Sequence, residues 1–214
     1  MSQLKLTANS GGGTVAIKGP ASTTGNAAIE LTVPGTASGT LAVGDTGKIL
    51  QLVTNEKGAT VSISGQNNSG SFGDVTGINV TITPTAASSK ILVQFCLGKV
   101  SHNSNSTAVR FTRSVAGGTA AAVALADSSG GSHQQASSNI LGTNLINTGH
   151  AQAFNYQFVD TPSYSVGQAI VYQMQVQTEG SGNFYVNRTH DDTNSTNIHF
   201  ARAFSTITAM EVAA

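Results

Sequence analysis

The chain has 214 residues with ten basic and ten acidic side chains, so its formal net charge is 0 and only 9% of its residues are charged. It therefore has no basic field that could capture nucleic acid or an anionic lipid surface. Its 24 Gly, 24 Ser, 26 Thr and 16 Asn residues favour turns and strands, which excludes a helical bundle.

Residues 1–46 differ from the rest of the chain. Short apolar groups, Val15 with Ile17 and then Ile29 with Leu31 and Val33, are separated by Gly, Pro, Ser and Thr. Each group predicts a brief strand, but together they are too few to enclose a core. We interpret residues 1–46 as an extended N-terminal arm that docks on other proteins. The alternative, a flexible linker, would have little use for β-branched pairs.

The N-terminal sequence lacks the apolar core of a secretion signal, and no stretch approaches the roughly 18 uninterrupted apolar residues of a membrane span. We therefore expect the chain to be made and kept in a cytosol, without membrane insertion. Its low charge is a risk for the solubility of a lone monomer, and burial in an oligomer is one solution.

From residue 47 to residue 214 apolar and polar residues alternate with a period of two, which is typical of strands with one buried face. Nine segments are predicted to be strands, the last bent or broken near Ser205: Lys48–Val53, Thr60–Ser64, Val75–Thr83, Lys90–Val100, Ala108–Val115, Ala153–Asp160, Ala169–Thr178, Phe184–Arg188 and Ile198–Val212. The predicted fold is therefore all-β, a two-sheet β-sandwich head over residues 47–214 behind the arm.

The fourth predicted strand contains the only cysteine of the chain. Its inward row is predicted to be Ile91, Val93, Phe95 and Leu97. Cys96 lies within this apolar run, and we expect a buried thiol there rather than a reactive one. A single cysteine also excludes an intrachain disulfide.

Two strands carry polar side chains in unusual patterns. On Ala169–Thr178 one face is apolar, whereas the other repeats glutamine; the apolar set is Ile170, Tyr172, Met174 and Val176, and the polar set is Gln173, Gln175 and Gln177. The glutamine row is either a solvated outer face, which we favour, or a hydrogen-bonded seam between subunits. Arg110 and Arg113 point to opposite faces of their strand. We expect one to be exposed and the other to pair with an acid at an interface.

Candidate chemistry is sparse. His190, Asp191 and Asp192, with His199 on the following strand, could hold a divalent ion, but neighbouring side chains diverge and no metal-ligand spacing is present. We favour a solvated loop tip. The remaining histidines, His102, His133 and His150, are expected at the surface or at interfaces. No catalytic, cofactor-binding or metal-binding residue is predicted, and the chain is not expected to be an enzyme.

Periodicity fades in two segments, Gly117–Gly149 and the tip Asn187–Asn197. Long connections on a rigid scaffold commonly carry recognition. We predict that these two segments contact a partner.

Several segments resemble a β-rich virion domain of tailed bacteriophages, of the marine and cyanobacterial type, that is usually described as a tail-fibre or structural protein. They are GKILQLV (47–53), FGDVTGINVTITPTAASSKILVQ (72–94), AVRFTRSVAGGTA (108–120), FNYQFVDTPSYSVGQAIVYQMQV (154–176), YVNR (185–188) and STITAMEVA (205–213). Residues 4–42 are similar to the leader of such domains. The pieces TITP…SSKILV and STITxME are distinctive as an ordered pair.

The resemblance implies a jelly-roll head assembled as a homotrimer, with the arm attached to other virion proteins of the tail or capsid. It implies a virion protein, assembled in the host cytoplasm, that attaches to a host surface glycan or protein. The chain lacks the long shaft of an extended fibre, so a capsid decoration protein is the alternative. A carbohydrate-depolymerising tail enzyme is a more remote one, and it would need an acid pair in a groove.

Overall fold

The computed structural model describes residues 3–7, 14–18, 47–64, 71–128, 130, 133–141 and 150–214. The chain divides into two units, residues 1–43 and residues 44–214. None of the helical segments in these described ranges is long and apolar enough to cross a membrane.

In the first unit, β1 (Gln3–Thr7) pairs antiparallel with β2 (Thr14–Lys18). Strand β2 confirms the strand predicted at Val15 and Ile17, while β1 was not predicted. The register sets Leu4 opposite Ile17 and Leu6 opposite Val15. The strand predicted at residues 29–33 lies outside the described residues.

In the described part of the second unit, the head, nearly all of the regular secondary structure is β-strand. The strands are β3 (Ile49–Lys57), β4 (Val61–Ile63), β5 (Gly73–Ile82), β6 (Lys90–His102), β7 (Ser106–Val115), β8 (Ala121–Val123), β9 (Ser138–Leu141), β10 (Gln152–Asp160), β11 (Ile170–Thr178), β12 (Phe184–Val186) and β13 (Ser205–Val212). All nine predicted strands are present. The last begins at Ser205 because Ile198–Phe200 form a single 3-10 turn before it.

The strands form two antiparallel sheets. In sheet one the order is β3–β13–β6–β10. Beyond the start of β13, β12 continues the β13 column along β6, and β4 continues the β3 column beside β12. In sheet two the order is β5–β11–β7–β8, with β9 continuing β8 along the free edge of β7. Counting each continued column as one strand gives eight strands in the orders 1-8-3-6 and 2-7-4-5. This is the strand order of a jelly roll, and the predicted fold class is confirmed.

The core lies between the two sheets, as the two-residue period predicts. Phe111 of sheet two contacts aromatic rings of sheet one, with centroid distances of 4.4 Å to Phe95, 4.9 Å to Tyr156 and 5.5 Å to Phe158. The four apolar residues predicted on the inner face of β11 are all buried. Interleaved large side chains of this kind supply most of the free energy that stabilises a sandwich.

Three expectations about single residues or segments are wrong. Cys96 is exposed, because the alternation that turns Phe95 and Leu97 inward turns Cys96 outward. His102 is fully buried at the end of β6 rather than at the surface. The segment 117–149 is not one long loop, because β8 and β9 within it pair with β7 and form an edge of sheet two.

The glutamines on the outer face of sheet two make hydrogen bonds within the chain. Gln173 Nε2 donates to the carbonyl oxygen of Val75 at 2.9 Å, and Gln175 Oε1 accepts from Arg110 at 2.6 Å. The favoured solvated glutamine face is therefore only partly correct, since Gln177 is buried.

The head has two distinct ends. We call the end that holds the start of β3, the start of β6 and the end of β13 the proximal end. The distal end holds the end of β3, the end of β6, the start of β7 and the start of β13. Gly47 donates its backbone N–H to Ala213 at 2.9 Å, which places the first described residue of the head at the proximal end.

Candidate functional site

A polar groove of about 240 Å³ opens at the distal end of sheet two. Its lining residues are Ser106, Ala108, Gln134, Asn139, Gln177, Thr178 and Glu179. Ser106 Oγ donates to Asn139 Oδ1 at 3.0 Å, and Gln134 Nε2 donates to Gln177 Oε1. Amide and hydroxyl groups of this kind can both donate and accept, so the groove suits a ligand rich in hydroxyl or peptide groups. Gln134 and Asn139 bring the predicted segment 117–149 to this groove.

The second predicted segment, Asn187–Asn197, also lies at the distal end. Its base is rigid, because buried Asn187 donates from Nδ2 to the carbonyl of Lys57 at 2.6 Å and accepts at Oδ1 from Ser205 at 2.6 Å. Asn187 has φ of +62°, a left-handed conformation that asparagine tolerates better than most residues. Residues 193–199 beyond it are exposed. The tip is thus an exposed loop on a fixed base.

The acidic and basic groups of the tip pair with one another. Asp192 accepts two hydrogen bonds from Arg202, at 2.8 and 3.2 Å, and lies 3.7 Å from Arg188. The Arg188 guanidinium sits 4.7 Å from the centre of the Tyr185 ring. His190 Nδ1 lies 2.9 Å from Asp191 Oδ1. The guanidinium groups of Arg188 and Arg202 hold the Asp192 carboxylate in a salt-bridged cluster.

The structure does not bring the His and Asp residues of the tip together as a metal site. Within the described residues no three His, Cys, Asp or Glu side chains are grouped closely enough to hold a metal ion. A surface hollow of about 400 Å³ lies beside Asp192, Asn194 and Arg202. Its polar lining offers hydrogen-bonding groups to a ligand rather than a coordination sphere.

A buried carboxylate that the residue patterns did not single out lies at the proximal end. Glu211 of β13 is fully buried and accepts from the backbone N–H of Thr85 at 3.0 Å and of Ala86 at 2.9 Å. The side chains of Ser89 and Gln51 donate to it at 2.8 and 2.7 Å. We call these residues the Glu211 clamp, because they fasten the β5–β6 connection to the last strand.

The Glu211 clamp joins the two sequence pieces that are distinctive as a pair. Glu211 closes the motif STITAME, whereas Thr85, Ala86 and Ser89 belong to the segment TITPTAASSK. In this chain one motif supplies a buried acceptor and the other supplies its donors. The signal that could have found the clamp was the isolated glutamate in an otherwise uncharged terminal strand.

The clamp stabilises the charged form of its carboxylate. Burial alone would raise the pKa of Glu211, but the hydrogen bonds that it accepts, those from the backbone of Thr85 and Ala86 first, outweigh this effect and hold the pKa at about 2. The carboxylate has a full set of donors and no free approach for a substrate. Its role is structural.

A second polar cluster, which is half-buried, ties the two sheets together near the proximal end. Arg113 of sheet two lies 2.8 Å from both carboxylate oxygens of Asp160 in sheet one, and Tyr172 donates to the same carboxylate at 2.7 Å. Burial, followed by the charge of Asp160, raises the pKa of the Tyr172 hydroxyl. Arg113 thus has its acidic partner within the chain, while Arg110 on the outer face lies 4.1 Å above the Phe72 ring.

No protein-family model and no curated protein matches this sequence. The chain is similar to the crystal structure of the infectious bursal disease virus VP2 subviral particle, at 16% sequence identity and a TM-score of 0.36, over 86% of this chain and 42% of that one. It is also similar to the structure of infectious bursal disease virus Gx strain, at 14% identity and a TM-score of 0.32, over 86% and 41%. The chain spans about two fifths of the length of these proteins. Likeness at this level carries no functional conclusion, and the fold is identified by strand order.

Proposed function

We propose that this chain is a structural protein of a tailed-bacteriophage virion. Residues 1–46 dock on the particle, and the head assembles as a homotrimer displayed outward to contact a glycan or protein of the host surface. Three features support the proposal. They are the sequence resemblance, the jelly-roll fold of the head and the exposed segments at its distal end.

The observation that carries the proposal is that the attachment point of the arm and the predicted contact segments lie at opposite ends of the head. Residue 47 lies at the proximal end, whereas the polar groove and the tip lie at the distal end. Strand β3 runs between these ends over nine residues, or about 26 Å at 3.3 Å per residue. A head held through residue 47 therefore presents both predicted contact segments on its far side.

The chemistry of the distal end supports binding rather than catalysis. Among the described residues that line the groove, Glu179 is the one carboxylate, whereas glycoside hydrolysis needs two carboxyl groups about 5–10 Å apart. At the tip, Asp192 is paired with Arg202. Weak contacts of amides and hydroxyls become useful when many copies engage one surface together. We accordingly propose attachment without bond-making.

The location on the particle decides between the proposed tail appendage and a capsid decoration protein. A map of the intact particle would show the head at the tail, in a few to a few dozen copies, if the proposal is correct. Hundreds of copies spread over the capsid would assign the chain to decoration instead. Its absence from the particle would refute both.

Attachment is tested by changing the exposed distal residues without touching the base of the tip. Replacing Thr193, Asn194 and Ser195 by alanine, or Asn139 and Glu179 in the groove, should slow adsorption of the phage to its host. The matched control replaces exposed Ser163 and Ser165 in the β10–β11 connection, towards the proximal end, and should leave adsorption unchanged. Normal adsorption in both distal variants would remove the distal end from host contact.

An enzymatic role is tested separately by incubating the purified chain with host polysaccharide. We expect no shortened product. If the chain shortens the polysaccharide and Glu179→Gln abolishes this activity, then catalysis rather than attachment is its main function.

A further inference from the structure

The outer face of sheet one carries a continuous row of apolar side chains. Leu52 of β3 lies opposite Met210 of β13, Met210 lies opposite Leu92 of β6, and Leu92 lies opposite Val159 of β10. Directly opposed residues on neighbouring strands share a face and stand about 5 Å apart. The row therefore crosses the whole sheet. Leu52 is 58% exposed and Val159 is 61% exposed.

The rest of this face is nearly free of charge. The next two rows along the strands are Thr54–Thr208–Gln94–Gln157 and Glu56–Thr206–Cys96–Asn155, and Ile49, Val212 and Lys90 complete the face at the proximal end. Its two charged residues, Lys90 and Glu56, are of opposite sign and lie on different strands at opposite ends of the face. Such faces of different copies can therefore meet without a net like-charge repulsion.

The outer face of sheet two is different. There Asn79 donates to Gln173 at 3.1 Å, Gln175 donates to Asp74 at 2.7 Å, and Arg110 donates to Gln175 at 2.6 Å. Its polar groups already satisfy one another and present a hydrogen-bonded surface to water. Only sheet one offers an apolar outer row in the described part of the head, so the two faces are not equivalent as association surfaces.

The size of the sheet-one face fits contact between copies of the chain. Four strands at about 4.8 Å and four rows at about 6.6 Å give a footprint of roughly 500 Å². Three such faces turned towards one threefold axis would together bury up to roughly 1,500 Å², which is the standard size of a specific protein interface. Exposed apolar rows rimmed by uncharged polar residues are typical of such interfaces.

We infer that the outer face of sheet one, centred on the row Leu52–Met210–Leu92–Val159, is the surface through which copies of this chain associate. The inference rests on the proposed function, which supplies the number of three copies, and it adds the face through which they associate. It places sheet one towards the oligomer axis and sheet two towards solvent.

The test uses the full chain and measures its mass by analytical ultracentrifugation. The unaltered chain should be an oligomer. Leu52→Lys and Val159→Lys should each raise the dissociation constant roughly tenfold or more, because they place an unpaired charge in the contact. The matched control is Val166→Lys in the β10–β11 connection, where the valine is 55% exposed and away from the face, and it should keep the mass of the unaltered chain.

Cys96 supplies a second readout that needs no substitution, since it is the only cysteine and lies exposed on the same face. In the oligomer a bulky maleimide should label it slowly, and labelling should accelerate as the protein is diluted through its dissociation. This measurement keeps the inference testable even where a lysine variant fails to fold, which circular dichroism would reveal.

Three outcomes would overturn the inference. An oligomer whose mass and Cys96 labelling are unchanged by both lysine variants uses another face, and the proposed trimer would survive. A monomer with freely reactive Cys96 would refute both the face and the trimer, while the particle map would still decide the virion location. A monomer with protected Cys96 would show that another part of the same chain covers the face.

Discussion

Replacing Glu211 by glutamine tests the Glu211 clamp directly. The carboxylate accepts hydrogen bonds on both oxygens, from the backbone of Thr85 and Ala86 and from three side chains. An amide of the same size keeps one acceptor oxygen but turns an NH₂ group towards the remaining donors. We expect Glu211→Gln to lose the charge-assisted bonds and to leave buried donors unsatisfied.

The magnitude follows from the pKa of Glu211, which the fold lowers from 4.5 to about 2. At about 1.4 kcal/mol for each pH unit, this corresponds to about 3 kcal/mol of folding free energy at neutral pH. Because the folded pKa is the lower one, the unfolded chain binds the proton more tightly. The contribution is therefore complete above about pH 4.5 and is lost as the pH falls towards 2.

The assay is urea unfolding of the unaltered chain and of Glu211→Gln between about pH 7 and pH 2.5, at one protein concentration. The difference in unfolding free energy should be about 3 kcal/mol at pH 7 and should shrink in the acid range. Glu179→Gln, at an exposed glutamate, is the control and should change stability little. A loss below about 0.5 kcal/mol at pH 7, or a loss independent of pH, would refute the role assigned to the clamp.

Three further predictions concern other polar groups that are buried or half-buried. Arg113→Leu should destabilise the head by about 1–3 kcal/mol by leaving half-buried Asp160 without its cation; urea unfolding measures this, and restoration by adding Asp160→Asn would support it. Asn187→Ala should cost about 1 kcal/mol more than Asn187→Gly, because alanine is strained at this positive φ; equal losses in paired denaturation curves would contradict this. Burial lowers the pKa of His102 despite the opposing hydrogen bond with Ser104, so unfolding free energy should fall as the pH drops below about 6.5, and His102→Leu should lack that component. An unchanged pH profile between about pH 7 and pH 5 in that variant would show that His102 titrates normally.

Nine of the eleven described strands of the head could be predicted from the two-residue period. Segments such as Ile78–Ile82 and Ile170–Val176 bury one face between the sheets, so their alternation is unambiguous. Strands β8 and β9 escaped prediction because these short segments at the edge of β7, with the sequences AAV and SNIL, do not alternate apolar and polar residues. Short edge strands lack the hydrophobic pattern that burial on a full face imposes.

The sequence did not predict which strands pair in each sheet or where single side chains lie, and the structure shows both. The two-residue period of the strand already implied that Cys96 points away from Phe95. Burial of Cys96 was expected because its sequence neighbours are apolar, and that expectation was wrong because the period decides which face a side chain joins. For the distal groove, Gln134 and Gln177 are far apart in the chain and meet only through the pairing of β9 and β11 with β7. The tip was predicted correctly as a loop, because Asn, Thr and Asp cluster there without periodicity.

The position of β13 constrains how the head can be synthesised. This strand leaves the ribosome after all the other strands, yet it lies between β3 and β6 and joins them into one sheet. Until it arrives, β3 and β6 each have an unpaired edge, and such edges are prone to misassembly. The nascent head is therefore expected to remain open throughout translation and to fold cooperatively only when residues 205–212 are free to insert.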